Sequence, residues 1–197
     1  MNKYELIEQI LQRNKGFLST DEAVQAGVSK PYLAQFVRKH GLQRVAHGLY
    51  ASPQAWPDFM FIIQYRYPQA VFSHETALYL LDLADREPTQ YSVTVKAGTK
   101  ATGLTREGIK VYKVKADLFE LGVTKATSPA GHDIRVYNPE RTICDLLRSR
   151  RSIEIQDLQT GLKGYVKSKA RNIPLLVRYA EQFSVEKILR RYLEVLL

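Results

Sequence analysis

Hydrophobic residues near the start of the chain recur every three or four positions, the spacing of an amphipathic helix. Tyr4, Ile7, Ile10 and Leu11 fall on one face, and the positions between them are mostly polar. Gly16 follows at a place suited to a left-handed cap at the end of a helix. The pattern therefore predicts a first helix that buries this face and ends shortly before Gly16.

Two further short helices are predicted, with a tight turn at Gly27 between them. Ser19 or Thr20 is suited to cap the earlier of the two, and Ser29 is suited to cap the later one. Pro31 falls in the first turn of the later helix, where its missing N–H is tolerated. Two helices joined by a glycine turn are typical of a helix-turn-helix.

Alternating apolar residues after Gly41 predict a two-stranded ribbon whose tip lies at Ala46, His47 and Gly48. The three helices and the ribbon follow the order of a winged helix-turn-helix. A turn-rich segment at 51–53 is the predicted domain boundary. We therefore expect a winged-helix DNA-binding domain over residues 1–52.

The polar side of the third predicted helix carries the residue types that contact DNA. In the major groove Arg and Lys suit guanine and Gln suits adenine, so Arg38 and Gln35 are candidates for reading bases. Other cationic and hydroxyl groups more often contact phosphates. The predicted DNA-binding residues are Ser29, Lys30, Tyr32, Gln35, Arg38, Lys39, Arg44 and His47. The alternative is a winged helix that makes protein contacts and has a solvated polar face.

The remaining residues, 53–197, predict an α+β domain that ends in helices. Helical patterns cover 56–65 and 73–83, strand patterns cover 91–95, 109–114, 118–123 and 134–137, and helices follow from Pro139 to the end. A connection rich in Gly, Thr and Lys joins the first two of these strands. The predicted fold class is thus α+β, an N-terminal winged helix-turn-helix followed by a mixed α/β domain.

Basic residues outnumber acidic ones by 29 to 20, which gives a net charge of +9. Such a balance favours a polyanionic partner, although a merely basic and soluble surface is the alternative. A second basic group lies toward the C-terminus and comprises Arg148, Arg150, Arg151, Lys163, Lys167, Lys169 and Arg171. A solvated helical surface, further DNA phosphates and an acidic protein partner are all compatible with this group.

Catalytic and metal-binding patterns are weak. His74 and Glu75 are adjacent, so on a helix their side chains point in different directions and do not readily share an ion. His132 follows Gly131 in a predicted turn, and Cys144 lies among apolar residues typical of a core. We therefore predict no enzymatic activity, no catalytic residue, no metal and no cofactor.

The single cysteine excludes an intrachain disulfide and favours a reducing compartment. The first residues lack the apolar region of a signal peptide, and no uncharged apolar run approaches the length that spans a bilayer. We therefore expect a cytoplasmic protein with no membrane partner.

Several segments resemble a known family. Residues 16–23, 27–29 and 41–50 resemble the N-terminal domain of AbiEi-type antitoxins, and residues 73–83 and 136–148 resemble that family's C-terminal signatures. The resemblance implies a bacterial antitoxin of a type IV toxin–antitoxin system in phage defence, by abortive infection. It also implies a transcriptional autorepressor whose winged helix binds inverted repeats in its own promoter.

The same resemblance implies that the C-terminal domain counters a nucleotidyltransferase-like toxin without forming a stable complex with it. Two alternatives from other classes stay open at this point. One is a ligand-sensing regulator with a pocket lined by Trp56, Phe59, Tyr65 and Tyr79. The other is a nucleic-acid-processing enzyme that uses the winged helix for targeting.

Overall fold

The chain divides after Arg66 into two structural units in the computed structural model, which describes residues 2–196. The first unit extends to Arg66 and also contains the segment Ser128–His132. The second unit consists of Tyr67–Thr127 and the residues from Asp133 onward. The first unit thus continues past residue 52, where the sequence placed the boundary.

The first unit is a winged helix-turn-helix with one additional helix. Its elements are α1 (Lys3–Arg13), β1 (Phe17–Ser19), α2 (Thr20–Gln25), α3 (Lys30–Lys39), β2 (Gln43–Ala46), β3 (Leu49–Ala51) and α4 (Phe59–Arg66). The three strands form an antiparallel sheet in the order β1-β3-β2, in which Leu18 and Arg44 both pair with Tyr50. The sequence predicted the ribbon β2–β3 but not the short strand β1.

Local signals account for the limits of the first helix. The side chain of Asn2 accepts a hydrogen bond from the backbone of Glu5, and the Glu5 carboxylate accepts one from the backbone of Asn2. This capping box satisfies donors that a helix start leaves unpaired. The chain leaves the helix through Gly16, whose φ of +92° is unfavourable for other residues. A Cβ at Gly16 would also lie only 2.7 Å from the Cβ of Ala55.

The apolar stripes read from the sequence form the core of the first unit. Ile7 and Ile10 of α1 pack with Ala23 of α2 and with Leu33 and Phe36 of α3. The core helices are thereby held at fixed positions by burial of their apolar faces. Tyr4, predicted to share the buried face of α1, is instead 41% exposed.

A second apolar cluster joins the sheet to α4. Phe17, Ala46 and Leu49 pack against Phe61 and other residues of that helix. This packing is the physical reason why the unit extends to Arg66. The helix begins at Phe59 rather than at Trp56, because the buried side chain of Asp58 caps it by accepting a hydrogen bond from the backbone N–H of Phe61 at 3.0 Å.

The second unit contains a mixed five-stranded sheet and the remaining helices. Its elements are β4 (Val71–Phe72), α5 (His74–Leu80), β5 (Ser92–Lys96), α6 (Thr102–Arg106), β6 (Lys110–Val114), α7 (Ala116–Phe119), β7 (Val123–Thr127), β8 (Asp133–Tyr137), α8 (Pro139–Arg148), α9 (Ile155–Lys167), α10 (Ile173–Gln182) and α11 (Glu186–Leu196). The strand order is β6-β5-β4-β8-β7. The pairs β5–β6 and β4–β8 are parallel, and the other two are antiparallel.

Helix α8 lies in the core of the second unit. Residues Glu140 to Leu147 are all buried, and Ile143, Cys144, Leu146 and Leu147 belong to one large apolar cluster. Asn138 caps this helix by accepting a hydrogen bond from the backbone N–H of Arg141 at 2.9 Å. The predicted α+β class and the helical C-terminus are confirmed by this arrangement.

Two local predictions are wrong, and a third segment holds an element that the sequence did not predict. The strand expected over 118–123 is in fact the end of α7 and a turn, and the strand β7 begins only at Val123. The helix expected to reach residue 83 ends at Leu80. The connection 97–108 lies between β5 and β6 as predicted, and it also contains the helix α6. Short apolar segments do not distinguish a helix from a strand by period, which explains the first error.

Within residues 2–196, none of the helices combines the length and the apolar character needed to cross a lipid bilayer.

Candidate nucleic-acid interface

Helix α3 presents an open polar face. Its apolar residues Leu33 and Phe36 are each only 4% exposed and face the core of the first unit. On the opposite side Lys30, Gln35, Arg38 and Lys39 are all exposed, as the sequence predicted from their spacing. The 3.6-residue period of the helix produces this division, because positions three or four residues apart lie on the same face of these ten residues.

The exposed cations of α3 are not held by ion pairs among the described contacts. The guanidinium of Arg38 donates only to the backbone carbonyl of Ala34, at 3.4 Å within the same helix. Both Arg38 and Lys39 lie in the last turn. Their charged groups therefore stand in solvent at the end of the helix.

Tyr32 of α3 and Ser29, which directly precedes this helix, were also predicted to contact DNA. Tyr32 is half-buried and packs against the core of the unit, and the ammonium group of Lys3 lies 5.7 Å from the centre of its ring. Ser29 stands at the N-cap position, but its hydroxyl does not cap the helix. Its side chain is at the surface.

The tip of the ribbon carries the two remaining predicted residues. Arg44 is exposed on β2 and donates to the carbonyl of Ala46 at 3.3 Å, and His47 is exposed in the turn. The turn requires Gly48, whose φ is +74°. The Gly48 carbonyl accepts hydrogen bonds from the backbone of Thr20 at 2.7 Å and from the hydroxyl of Tyr65 at 3.2 Å. These bonds hold the turn of the wing against α2 and α4.

The electrostatic character of this face follows from where carboxylates are absent. The sequence has no Asp or Glu between Glu22 and Asp58, a stretch that includes all of α3 and the ribbon. Glu22 pairs with Arg13 at 3.3 Å, and Asp58 is only 4% exposed. The charged side chains of this stretch are therefore all cationic, namely Lys30, Arg38, Lys39 and Arg44, and such a surface attracts anions.

A buried polar cluster in the first unit was not found from the sequence. The Asp58 carboxylate accepts a hydrogen bond from the Ser128 hydroxyl at 2.5 Å, and its Oδ2 lies 2.6 Å from Nδ1 of His132. The ring of His132 stacks on Phe61 with centroids 4.2 Å apart. The turn predicted near His132 exists, but its burial depends on partners more than sixty residues away in sequence, which leave no local signal.

The seven C-terminal basic residues are all exposed, and three of them also donate hydrogen bonds to backbone carbonyls. Arg148, Arg150 and Arg171 donate to the carbonyls of Lys113, Leu147 and Val166 at 3.0, 3.0 and 2.6 Å respectively. Arg151, Lys163, Lys167 and Lys169 are exposed as well. Exposure alone does not distinguish between the three interpretations that the sequence left open.

The second unit contains an unusual buried histidine. His74 is 2% exposed and has a φ of +51°, a conformation that most side chains avoid. Its Nδ1 lies 2.9 Å from the hydroxyl of Ser73, its Nε2 lies 3.0 Å from that of Ser149, and its ring stacks on Tyr112. The adjacent Glu75 instead pairs with Lys110 at 3.1 Å. The two side chains thus have separate partners, as the sequence predicted.

Burial lowers the pKa of His74 well below 6.5, and the positive charges of Lys110, Arg141 and Arg148 lower it further. We expect this histidine to make the fold sensitive to acid. Below pH 6.5 the unfolded chain binds a proton at this residue that the folded chain does not bind, so stability falls as pH falls. The expected slope is about 1.4 kcal/mol per pH unit.

The measurement is urea unfolding of the wild type and of His74→Asn from pH 7.5 to pH 5. Asparagine tolerates the left-handed backbone conformation at this position. The difference between the two proteins isolates His74 from other titrating groups, including Asp145, whose pKa burial raises to about 6. A difference in stability that does not change with pH would contradict the expectation.

Cys144 lies in the core cluster of the second unit. Cys144 is fully buried, and burial raises the pKa of its thiol far above the usual value, so it is a core residue as expected.

The pocket lining predicted for the ligand-sensing alternative is wrong at Trp56 and Phe59. Trp56 is 82% exposed and Phe59 is 68% exposed, so neither lines an enclosed site. Tyr65 is in the first unit, where its hydroxyl bonds to Gly48, and Tyr79 is in the second unit.

No group of three or more His, Cys, Asp or Glu side chains within residues 2–196 is arranged to hold a metal ion.

A search of the solved structures finds a related fold. The crystal structure of the RV2827C protein from Mycobacterium tuberculosis superposes with a TM-score of 0.60 at 13% sequence identity, and the match covers 91% of this chain and 71% of that chain. At this identity the similarity concerns the fold alone. No curated protein sequence matches the chain.

Comparison with protein-family models is more specific for the first unit. Residues 5–53 match the model described as "Transcriptional regulator, AbiEi antitoxin". The match includes α1 from residue 5 onward, α2, α3 and the ribbon, and it confirms the resemblance carried by residues 16–23, 27–29 and 41–50. Over its winged-helix segment, the chain is thus similar to the AbiEi antitoxin family of transcriptional regulators.

Proposed function

We propose that this protein is a transcriptional repressor that binds inverted repeats in its own promoter through α3 and the wing. In this proposal α3 enters the major groove and occludes the promoter. Arg38 and Gln35 read base edges, and Lys30, Tyr32, Lys39, Arg44, His47 and Ser29 contact the sugar–phosphate backbone or the adjacent groove. Winged-helix residues 1–52 supply this activity, and residues 53–197 supply the second activity described below.

One observation carries the proposal. The polar side of α3 is exposed, it carries Lys30, Arg38 and Lys39, and no carboxylate interrupts the sequence between Glu22 and Asp58. A positive, solvent-facing helix of this kind gains affinity for DNA by releasing condensed counterions. The family match over residues 5–53 supports the same function.

Alanine substitutions at two neighbouring residues separate base reading from phosphate binding. We expect Arg38→Ala to lose about 1–3 kcal/mol on promoter DNA and much less on random DNA, because a base contact specifies sequence. We expect Lys39→Ala to weaken binding to both DNAs alike and to reduce the slope of log K against log salt by about one. Fluorescence anisotropy titrations of both DNAs at several salt concentrations measure these quantities.

Lys125→Ala is the matched control, since it removes one exposed lysine from β7 of the second unit. It should leave the affinity and the salt slope unchanged. Equal losses on promoter and random DNA for both Arg38→Ala and Lys39→Ala would rule out the assignment of base reading to Arg38.

The second part of the proposal is antitoxin activity. We propose that residues 53–197 counter a nucleotidyltransferase-like toxin of a type IV system in phage defence, without a stable complex between the two proteins. The family match to an antitoxin regulator supports this part, and the cheapest test is the identity of the adjacent gene. That gene should encode a nucleotidyltransferase-like toxin that inhibits growth, and co-expression of this protein should restore the growth of cells that express it. Failure of the full chain to restore growth would refute the antitoxin proposal and leave the DNA-binding proposal intact.

A further inference from the structure

A groove lies between α9 and α11 in the second unit, and it has a volume of about 580 Å³. Its apolar lining includes Leu162 from α9 and Ile188, Tyr192 and Val195 from α11. The volume falls within the range typical of binding clefts rather than of packing defects. All the residues that line the groove belong to the second unit.

The apolar side of α11 is only partly covered. Leu189 is 1% exposed and docks the helix into the core of the unit. Ile188, Tyr192 and Val195 follow one another at intervals of four and three positions and so share a neighbouring face. Ile188 and Tyr192 are half-buried, and Val195 is 83% exposed. Ile188 and Tyr192 also pack against the core cluster of the unit, so Val195 is the member of this stripe that the unit leaves uncovered.

The charges around the groove have one sign. Arg150, Lys163 and Arg191 line it, and none of its lining residues in the described part of the chain is an aspartate or a glutamate. The only hydrogen bond described for the side chain of Arg150 is to the backbone carbonyl of Leu147, so its charge is not neutralised there. An apolar floor with a cationic border is complementary to an apolar stripe with an acidic border.

We propose that this groove binds an acidic amphipathic helix of a partner protein. A helix that lays its apolar side chains into a groove presents them at intervals of three and four residues, and carboxylates beside that stripe would face Arg150, Lys163 and Arg191. Duplex DNA also carries negative charge, but its phosphates offer nothing to fill the apolar floor. The proposal goes beyond DNA binding and does not depend on it.

The test uses the full chain and a synthetic helical peptide. The probe is a fluorescein-labelled peptide with leucine at positions spaced by three and four and glutamate on both sides of that stripe. Its control is a peptide of the same composition with the order scrambled, so that total charge is unchanged but the stripe is lost. Anisotropy should show that the amphipathic peptide binds at least about tenfold more tightly than the scrambled one.

Substitutions in the groove locate the binding site. Val195→Asp places a like charge against the peptide at an exposed position, and Arg191→Glu reverses a cation of the border; each should weaken peptide binding at least about tenfold. Arg178→Glu, which reverses an exposed cation on α10 outside the groove, is the matched control and should leave binding unchanged. Circular dichroism checks that all three variants are folded.

Several outcomes would overturn the proposal. Equal binding of the two peptides, or an equal loss in Arg178→Glu, would show general attraction between opposite charges. A change of oligomeric state in Val195→Asp, measured by sedimentation together with absent peptide binding, would assign the groove to a second copy of this chain. A loss of promoter affinity in Arg191→Glu without loss of peptide binding would assign the border to DNA.

Discussion

Reversing the charges of Arg38 and Lys39 together, as Arg38→Glu with Lys39→Glu, is expected to reduce affinity for promoter DNA by at least about 100-fold near physiological salt. Two favourable electrostatic contacts are removed and two negative charges are placed against the phosphates. Both side chains are exposed, and neither takes part in the core of the first unit. The variant should therefore stay folded, with a melting temperature lowered by only a few degrees, because two carboxylates in the last turn of α3 oppose the helix dipole.

The control for this variant makes the same change in net charge elsewhere. Lys100→Glu with Lys115→Glu alters two exposed lysines of the second unit. If net charge alone governed binding, the two double variants would lose affinity equally. We expect the control to retain most of its affinity, because short-range contacts dominate at a Debye length of about 8 Å.

The same double variant separates the two proposed activities. Its repression of a reporter under the chain's own promoter should be lost. Its ability to restore growth in the presence of the cognate toxin should persist, because the altered residues lie in the winged helix. Simultaneous loss of repression and antitoxin activity in a folded variant would contradict the proposed division of function.

Asp145→Ala is expected to lower the free energy of unfolding by about 3–5 kcal/mol, the usual result of leaving a buried charge without its partner. Arg141 is 0% exposed, and its Nε donates to Asp145 at 3.0 Å. Its guanidinium lies 3.9 Å from the centre of the Tyr137 ring and 4.2 Å from that of Phe183. Without the carboxylate, the guanidinium stays enclosed by these rings and out of reach of water.

Urea denaturation at pH 7.5 measures this loss, and a double variant provides the comparison. Arg141→Met with Asp145→Leu removes both charges from the core, so it should be more stable than Asp145→Ala. It should still be less stable than the wild type, because Arg141 also donates to the carbonyls of Leu118 and Leu121, both at 2.7 Å. If Asp145→Ala lowers the free energy of unfolding by less than about 1 kcal/mol, the ion pair between Arg141 and Asp145 does not contribute substantially to stability.

Local patterns were sufficient to predict much of the winged helix. α1 and α3 each carry an apolar stripe at helical spacing, and glycines follow both helices. The exposure of Lys30, Gln35, Arg38 and Lys39 then follows from the period alone. Tyr32 departs from this rule because its large ring reaches back over the edge of the core.

Hydrophobic patterns in the sequence did not predict the shortest elements correctly. α7 has four residues and β4 has two, too few to display a period of either kind. The apolar residues near 118–123 therefore suggested a strand, although Leu118 and Phe119 are helical. Here the packing of α7 against the sheet determines the conformation rather than local preference.

The sequence by itself determined the amphipathic helices, the positive and carboxylate-free stretch between Glu22 and Asp58, and the likeness to a regulator family, because each is written in neighbouring residues. Only the tertiary structure decided that Asp58 meets Ser128 and His132, that His74 meets Ser149, and that α9 and α11 leave an apolar groove with a cationic border. These contacts join residues far apart along the chain. They form only when the sheet and helices pack, and burial then sets the chemistry of each group.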